Sequence, residues 1–138
     1  MIDHERLNNL LIELIRIDSL SRRELNVALR LKREMEELGA AVFIDDAGEK
    51  VGGDVGNLIA HFPGTAAGAP PLLLSAHMDT VVPGEGIQPI RDGDILRTDG
   101  RTVLGGDDKS GVAFIWEALR GIKENNWACG EGHVVFTN

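Results

Sequence analysis

The sequence lacks most of what would stiffen or anchor a chain from outside its own core. It holds one cysteine, Cys129, in 138 residues, which excludes an internal disulfide and suits a reducing compartment. Basic residues are outnumbered, 14 against 22 acidic ones, and the formal charge is −8. That balance argues against nucleic acid or an anionic membrane as partner. No apolar run approaches the length of a membrane span. The opening Met1-Ile2-Asp3-His4-Glu5-Arg6 lacks the basic start, apolar stretch and small-residue cleavage site of a secretory signal. Repeats and low-complexity tracts are absent as well. What is present is 43% hydrophobic residues, enough for the core of one domain. The expectation is a soluble, cytoplasmic protein.

Leu7, Leu10, Leu11, Leu14 and Ile15 recur at helical spacing, which predicts an amphipathic helix over residues 3–17. Ser21-Arg22-Arg23-Glu24 fits a capping box. The helix it would open covers residues 22–38, burying Leu25, Ala28, Leu29, Leu31, Met35 and Leu38 and ending at Gly39. Short strands follow over 41–44 and 57–62, with Asp45-Asp46 as turn chemistry between them. Leu72 to Ser75 opens an apolar strand that should have partners on both sides. A hairpin around Asp92-Gly93-Asp94, a helix from near Asp108 and a strand over 133–137 complete an α/β pattern.

Two stretches could carry chemistry. The first is Ser75-Ala76-His77-Met78-Asp79-Thr80-Val81, where the apolar strand ends in a histidine with an aspartate two residues on. In an open α/β sheet the carboxyl ends of strands face the crevice where ligands bind. The second is Leu104-Gly105-Gly106-Asp107-Asp108-Lys109-Ser110-Gly111, a strand-to-helix junction. An aspartate there can cap the helix, and the helix dipole favours an ionised carboxylate. Neutral imidazole and carboxylate are good ligands for zinc, manganese or cobalt. Each feature also has an ordinary reading: Asp107-Asp108 as a cap, Asp79 as a loop former or as the acceptor that fixes the His77 tautomer, Lys109 as local charge balance. His61 and His133 read as structural residues and His4 as a solvated one.

Together, in this order, the two stretches resemble the M20 family of metallopeptidases, and within it the peptidase T-like tripeptidase branch. Gly56-Asn57-Leu58-Ile59-Ala60, Pro63-Gly64-Thr65, Val82-Pro83-Gly84 and Val134-Val135-Phe136-Thr137 fall in the same arrangement. The resemblance implies a layered sheet with flanking helices, the amino-terminal part of a zinc-exopeptidase-like catalytic domain occupying residues 1–138. It implies hydrolysis of di- and tripeptides from their amino ends, using a water activated by two divalent metal ions, usually zinc, with manganese or cobalt as alternatives. His77 would bind one ion, Asp107 would bridge both, and Asp79 would be the catalytic carboxylate orienting His77. Asp108 has no metal role in that pattern. The substrate would be a small peptide, and the full-length protein of such a family can form a homodimer.

The match has a gap. In the family a Glu-Glu pair follows the strand matched by Val134 to Thr137 and supplies the general base and a further ligand, whereas here Asn138 is the last residue. A further carboxylate ligand, a distant histidine ligand and the lid or dimerisation domain also fall outside the sequence, and Glu131 precedes the strand. The isolated chain is therefore expected to be inactive. The rival readings are a non-catalytic fragment or partial interaction domain, and an amino-acid deacylase or deacetylase on the same fold. A dehalogenase-like phosphatase fails because its nucleophile position is occupied by His77.

Overall fold

The computed structural model describes residues 2–138. Helix α1 spans His4–Ile15, two residues shorter at its end than the spacing predicts, and the Asp3 carboxylate caps it by accepting the N–H groups of Glu5 and Arg6. Helix α2 spans Leu25–Leu38, so it starts three residues late and the capping box does not form. A capping box needs the serine hydroxyl to accept a helical N–H, but α2 opens at Leu25 with no side-chain cap bond, and the Ser21 hydroxyl is turned to donate to Asp79 Oδ2 at 2.5 Å. Glu24 accepts the N–H of Arg22, and Asp54 from a distant loop accepts that of Leu25. The buried stripe of α2 runs through Val27, Ala28, Leu31 and Met35, while Leu25 and Leu29 are exposed. Gly39 ends the helix in the left-handed region at φ +100°, a conformation that favours glycine.

Strand β1 (Ala41–Ile44) leads into a short helix α3 (Ala47–Val51) and strand β2 (Leu58–Phe62). Asp45 does the turn chemistry expected of it, accepting the N–H of Ala47 and both the backbone and side-chain N–H of Asn57. Strand β3 (Leu72–His77), the hairpin of β4 (Ile90–Asp92) and β5 (Ile95–Arg97), helix α4 (Gly106–Glu124) and strand β6 (Gly132–Thr137) follow. The main sheet has the order β1-β2-β6-β3, antiparallel except for the β3–β6 pair.

Register decides which residues face the helices. Leu58, Ala60, Ala76, Val134 and Phe136 alternate onto one face and form a single buried cluster with Leu10 and Leu14 of α1, Leu31 and Met35 of α2, and Val112, Ala113 and Trp116 of α4. Burying each large apolar side chain there contributes on the order of 2 kcal/mol. The expectation that β3 has partners on both sides is corrected. Among the described residues β3 pairs with β6 alone and forms an edge of the sheet, and Leu72 and Leu73 are 59% and 65% exposed. An apolar run reads the same at an edge as in the middle, because composition does not record how many neighbours a strand has.

The helical layer is also held by an ion pair that spacing alone did not reveal. Arg6 of α1 places Nε 2.7 Å and a terminal nitrogen 2.8 Å from the two oxygens of Glu117 on α4, and the Asp3 N–H adds a third bond at 2.8 Å. The Glu117 side chain is fully buried. Burial pushes its carboxyl up, but the Arg6 guanidinium and the Asp3 N–H outweigh that and hold it below the usual range. No helix among the described residues is long and apolar enough to cross a membrane.

Candidate metal centre

Strand β3 carries His77 to the carboxyl end of the sheet, where it pairs with Thr137 of β6. Beyond it the chain is pinned rather than loose. The Met78 N–H donates to the Thr137 carbonyl at 2.8 Å and its side chain is fully buried. The Thr80 N–H donates to the Ser19 carbonyl at 2.7 Å. Asp79 is thereby held beside the His77 ring, with Oδ1 2.9 Å from Nδ1. Its other oxygen accepts from Ser21, so both lone-pair sets of the carboxylate have work that fixes its position.

Asp107 arrives from the other direction. Gly105, at φ +72°, turns the chain over Thr80, whose methyl group would lie 3.0 Å from any Cβ added there. Asp107 and Asp108 then have non-helical backbone angles and a cis peptide between them, so the regular part of α4 starts at Lys109. Asp108 accepts the Gly111 N–H at 3.0 Å and is the cap, which frees Asp107 for another partner. Asp107 Oδ1 lies 3.1 Å from His77 Nε2, with its side chain 96% exposed against 39% for the histidine. The fold thus brings His77, Asp79 and Asp107 together from two segments thirty residues apart.

The electrostatics favour positive charge on this spot. Burial pulls the His77 ring down, but Asp107 and Asp79 on either side outweigh it and raise its pKa above the ordinary histidine value. A position that stabilises a proton between two carboxylates also suits a metal cation. Imidazole nitrogen and carboxylate oxygen are zinc's usual donors, and two donors on one tetrahedral ion with bonds near 2.0–2.1 Å lie about 3.3 Å apart. The residues present therefore fit a divalent ion, with Nε2 of His77 and the Asp107 carboxylate as its donors and Asp79 on the far ring nitrogen.

Three features of the neighbourhood were missed by reading the sequence. Ser21 was assigned to a cap. Glu24 is 1% exposed, and burial, with the Asp79 charge also contributing, raises its pKa. Lys109, read as charge balance, is 1% exposed. Its ammonium donates to the Ile17 carbonyl at 2.5 Å, tying the start of α4 to the end of α1, and burial lowers its pKa to about 8. None of these is visible from spacing, since each depends on which distant backbone packs alongside. Glu131 stands at the other end of β6, beside His61 and His133, and takes no part in this centre. A groove of about 960 Å³ also lies at that end, bordered by Leu38, Phe62, Leu74, Leu119 and Trp127.

Comparison with known proteins places the chain among peptidases. Residues 57–137 match Peptidase family M28, a stretch that contains both motifs resembling family M20. The chain is 38% identical over 137 residues to the protein YqjE of Bacillus subtilis (strain 168), covering 99% of this chain and 37% of that protein. It is 32% identical to Peptidase T of Aeromonas salmonicida (strain A449), over 70% of this chain and 30% of that protein. The structure of aminopeptidase PepT from Bacillus cereus ATCC 10987 superposes with a TM-score of 0.94 at 39% identity, covering 98% of this chain and 36% of that one. A tripeptidase from Staphylococcus aureus subsp. aureus mu50 gives 0.94 at 37% identity, covering 99% and 36%. The chain spans about a third of the length of these relatives. It shares their α/β fold, a sheet flanked by helices, and by the match over residues 57–137 it belongs to peptidase family M28.

Proposed function

We propose that this chain supplies part of the metal centre of a metal-dependent exopeptidase, M20-like in its two motifs, that removes amino-terminal residues from di- and tripeptides. The observation that carries the reading is the His77 ring held between Asp79 and Asp107, at 2.9 and 3.1 Å, at the carboxyl end of a parallel strand. The aminopeptidase and tripeptidase named among the neighbours support the choice of substrate. His77 and Asp107 are the residues of this chain that would hold the divalent metal, zinc in the first instance. Bound there, such ions polarise a peptide carbonyl and acidify a water. Asp79 accepts the Nδ1 proton of His77, which fixes the tautomer and leaves Nε2 free to ligate. Ser21 in turn keeps Asp79 from rotating away.

Two results follow at once. Asp79→Asn weakens zinc binding at His77 by about 10–100-fold, the usual contribution of such an outer carboxylate, because an amide can present its N–H to Nδ1 and favour the wrong tautomer. Calorimetric titration of zinc measures it, and an affinity within twofold of the parent contradicts the assigned role. The 138-residue chain alone brings two protein donors to an ion that takes three or four. Assayed on di- and tripeptides with added zinc or manganese, it should give no turnover above the metal-only background; clear metal-dependent turnover defeats that expectation.

A further inference from the structure

A second polar cluster lies at the opposite end of the sheet. The antiparallel register sets His61 of β2 directly across from His133 of β6, and Glu131 precedes His133 by two residues. Ala60 and Val134, next along each strand, are fully buried against the helices, so both histidines stand on the other face of the sheet. Nε2 of His61 and Nε2 of His133 lie 2.8 and 3.2 Å from the same Glu131 oxygen. The ring centroids are 5.0 Å apart with a 33° tilt, and one ligand atom from each of the three residues falls within 4.8 Å of the others. The side chains are 42%, 50% and 40% exposed for His61, Glu131 and His133, which leaves solvent a route to the cluster.

The backbone beneath these donors is fixed. His61 and His133 belong to paired strands, and the Leu72 N–H donates to the Glu131 carbonyl at 2.9 Å. Gly64 packs so closely that an added Cβ would lie 2.7 Å from the Glu131 nitrogen. Donors on rigid elements need little reorganisation to take up an ion. Two imidazoles and a carboxylate form a set that holds zinc while keeping a position open, and the two separations from Glu131, 2.8 and 3.2 Å, match neighbouring donors on one ion. Thr137, the partner of His77, is four residues further along β6, so the two clusters stand about 13 Å apart along the strand.

We infer that His61, Glu131 and His133 form a binding site for one divalent transition-metal ion of zinc's type, separate from the His77 and Asp107 centre. The assignment stands independently of the peptidase reading.

Zinc alone is the probe. In the chain carrying His77→Ala and Asp107→Asn, stripped of metal with a chelator, calorimetry should still detect one zinc per chain, and zinc should shift the ring resonances of both His61 and His133. Adding His133→Gln or His61→Gln should weaken that binding at least about tenfold, the lower end of what even outer partners of a metal contribute. Where His133→Gln does not fold by circular dichroism, Glu131→Gln, exposed and outside the strand, carries the same test. No zinc bound in the starting variant overturns the site. So does zinc that moves neither ring, or an affinity that the folded substitutions leave within twofold.

Discussion

Asp107→Asn lowers tripeptide hydrolysis about a thousandfold, a loss of ~4 kcal/mol of transition-state stabilisation, in a chimera where this chain replaces the matching 36% of the Bacillus cereus aminopeptidase PepT. The substitution keeps the shape of the side chain and removes its charge. An amide is a poorer metal donor than a carboxylate, so under the proposed role the chimera should bind its metal less tightly. Stability should barely change, because the Asp107 side chain is 96% exposed and the helix is capped by Asp108. His77→Ala should behave alike. Activity within tenfold of the parent chimera, at saturating zinc, would remove Asp107 from the metal centre.

The second large effect concerns the fold. Arg6→Met should cost about 3 kcal/mol in urea unfolding, at the lower end for breaking a buried pair because Arg6 is 24% exposed. The loss comes from Glu117, which keeps a buried carboxylate with only the Asp3 N–H against it. Arg6→Met combined with Glu117→Leu should recover most of the stability, since no charge is then stranded. The pair also sets a sign for pH. Glu117 is held below its unfolded value of 4.5, so its contribution is complete above that value and is lost as pH falls through the lower, folded one. Between about pH 6 and pH 3 the parent should therefore lose more stability than the double variant. Equal losses would mean that the pair is not what acid disrupts.

Much of this architecture was legible because it follows from short-range rules. The period of Leu7 to Ile15, the stop at Gly39, the turn around Gly93 and the apolar strand ending at His77 all appear at close to their expected positions. Two motifs thirty residues apart could be joined only through a family resemblance, and the fold sets His77 and Asp107 3.1 Å apart. What stayed hidden was long-range. Ser21 turns to Asp79, from the loop after β3, to which its hydroxyl donates. β3 is an edge because, among the described residues, β6 pairs with one side of it and no strand with the other. His61 and His133 read as structural residues in the sequence, and only the register sets them face to face. In each case the deciding partner is distant in sequence, and no local pattern records it.

His77 Nε2 and Asp107 Oδ1 lie 3.1 Å apart, a separation that one metal ion held by both would span. Diffraction from zinc-soaked crystals of the PepT chimera, collected at the zinc absorption edge, tests this most directly. An anomalous peak is expected within about 2.0–2.2 Å of both His77 Nε2 and an Asp107 oxygen. A zinc-saturated, active crystal whose anomalous density lies elsewhere, with His77 and Asp107 still bonded only to each other, would contradict it.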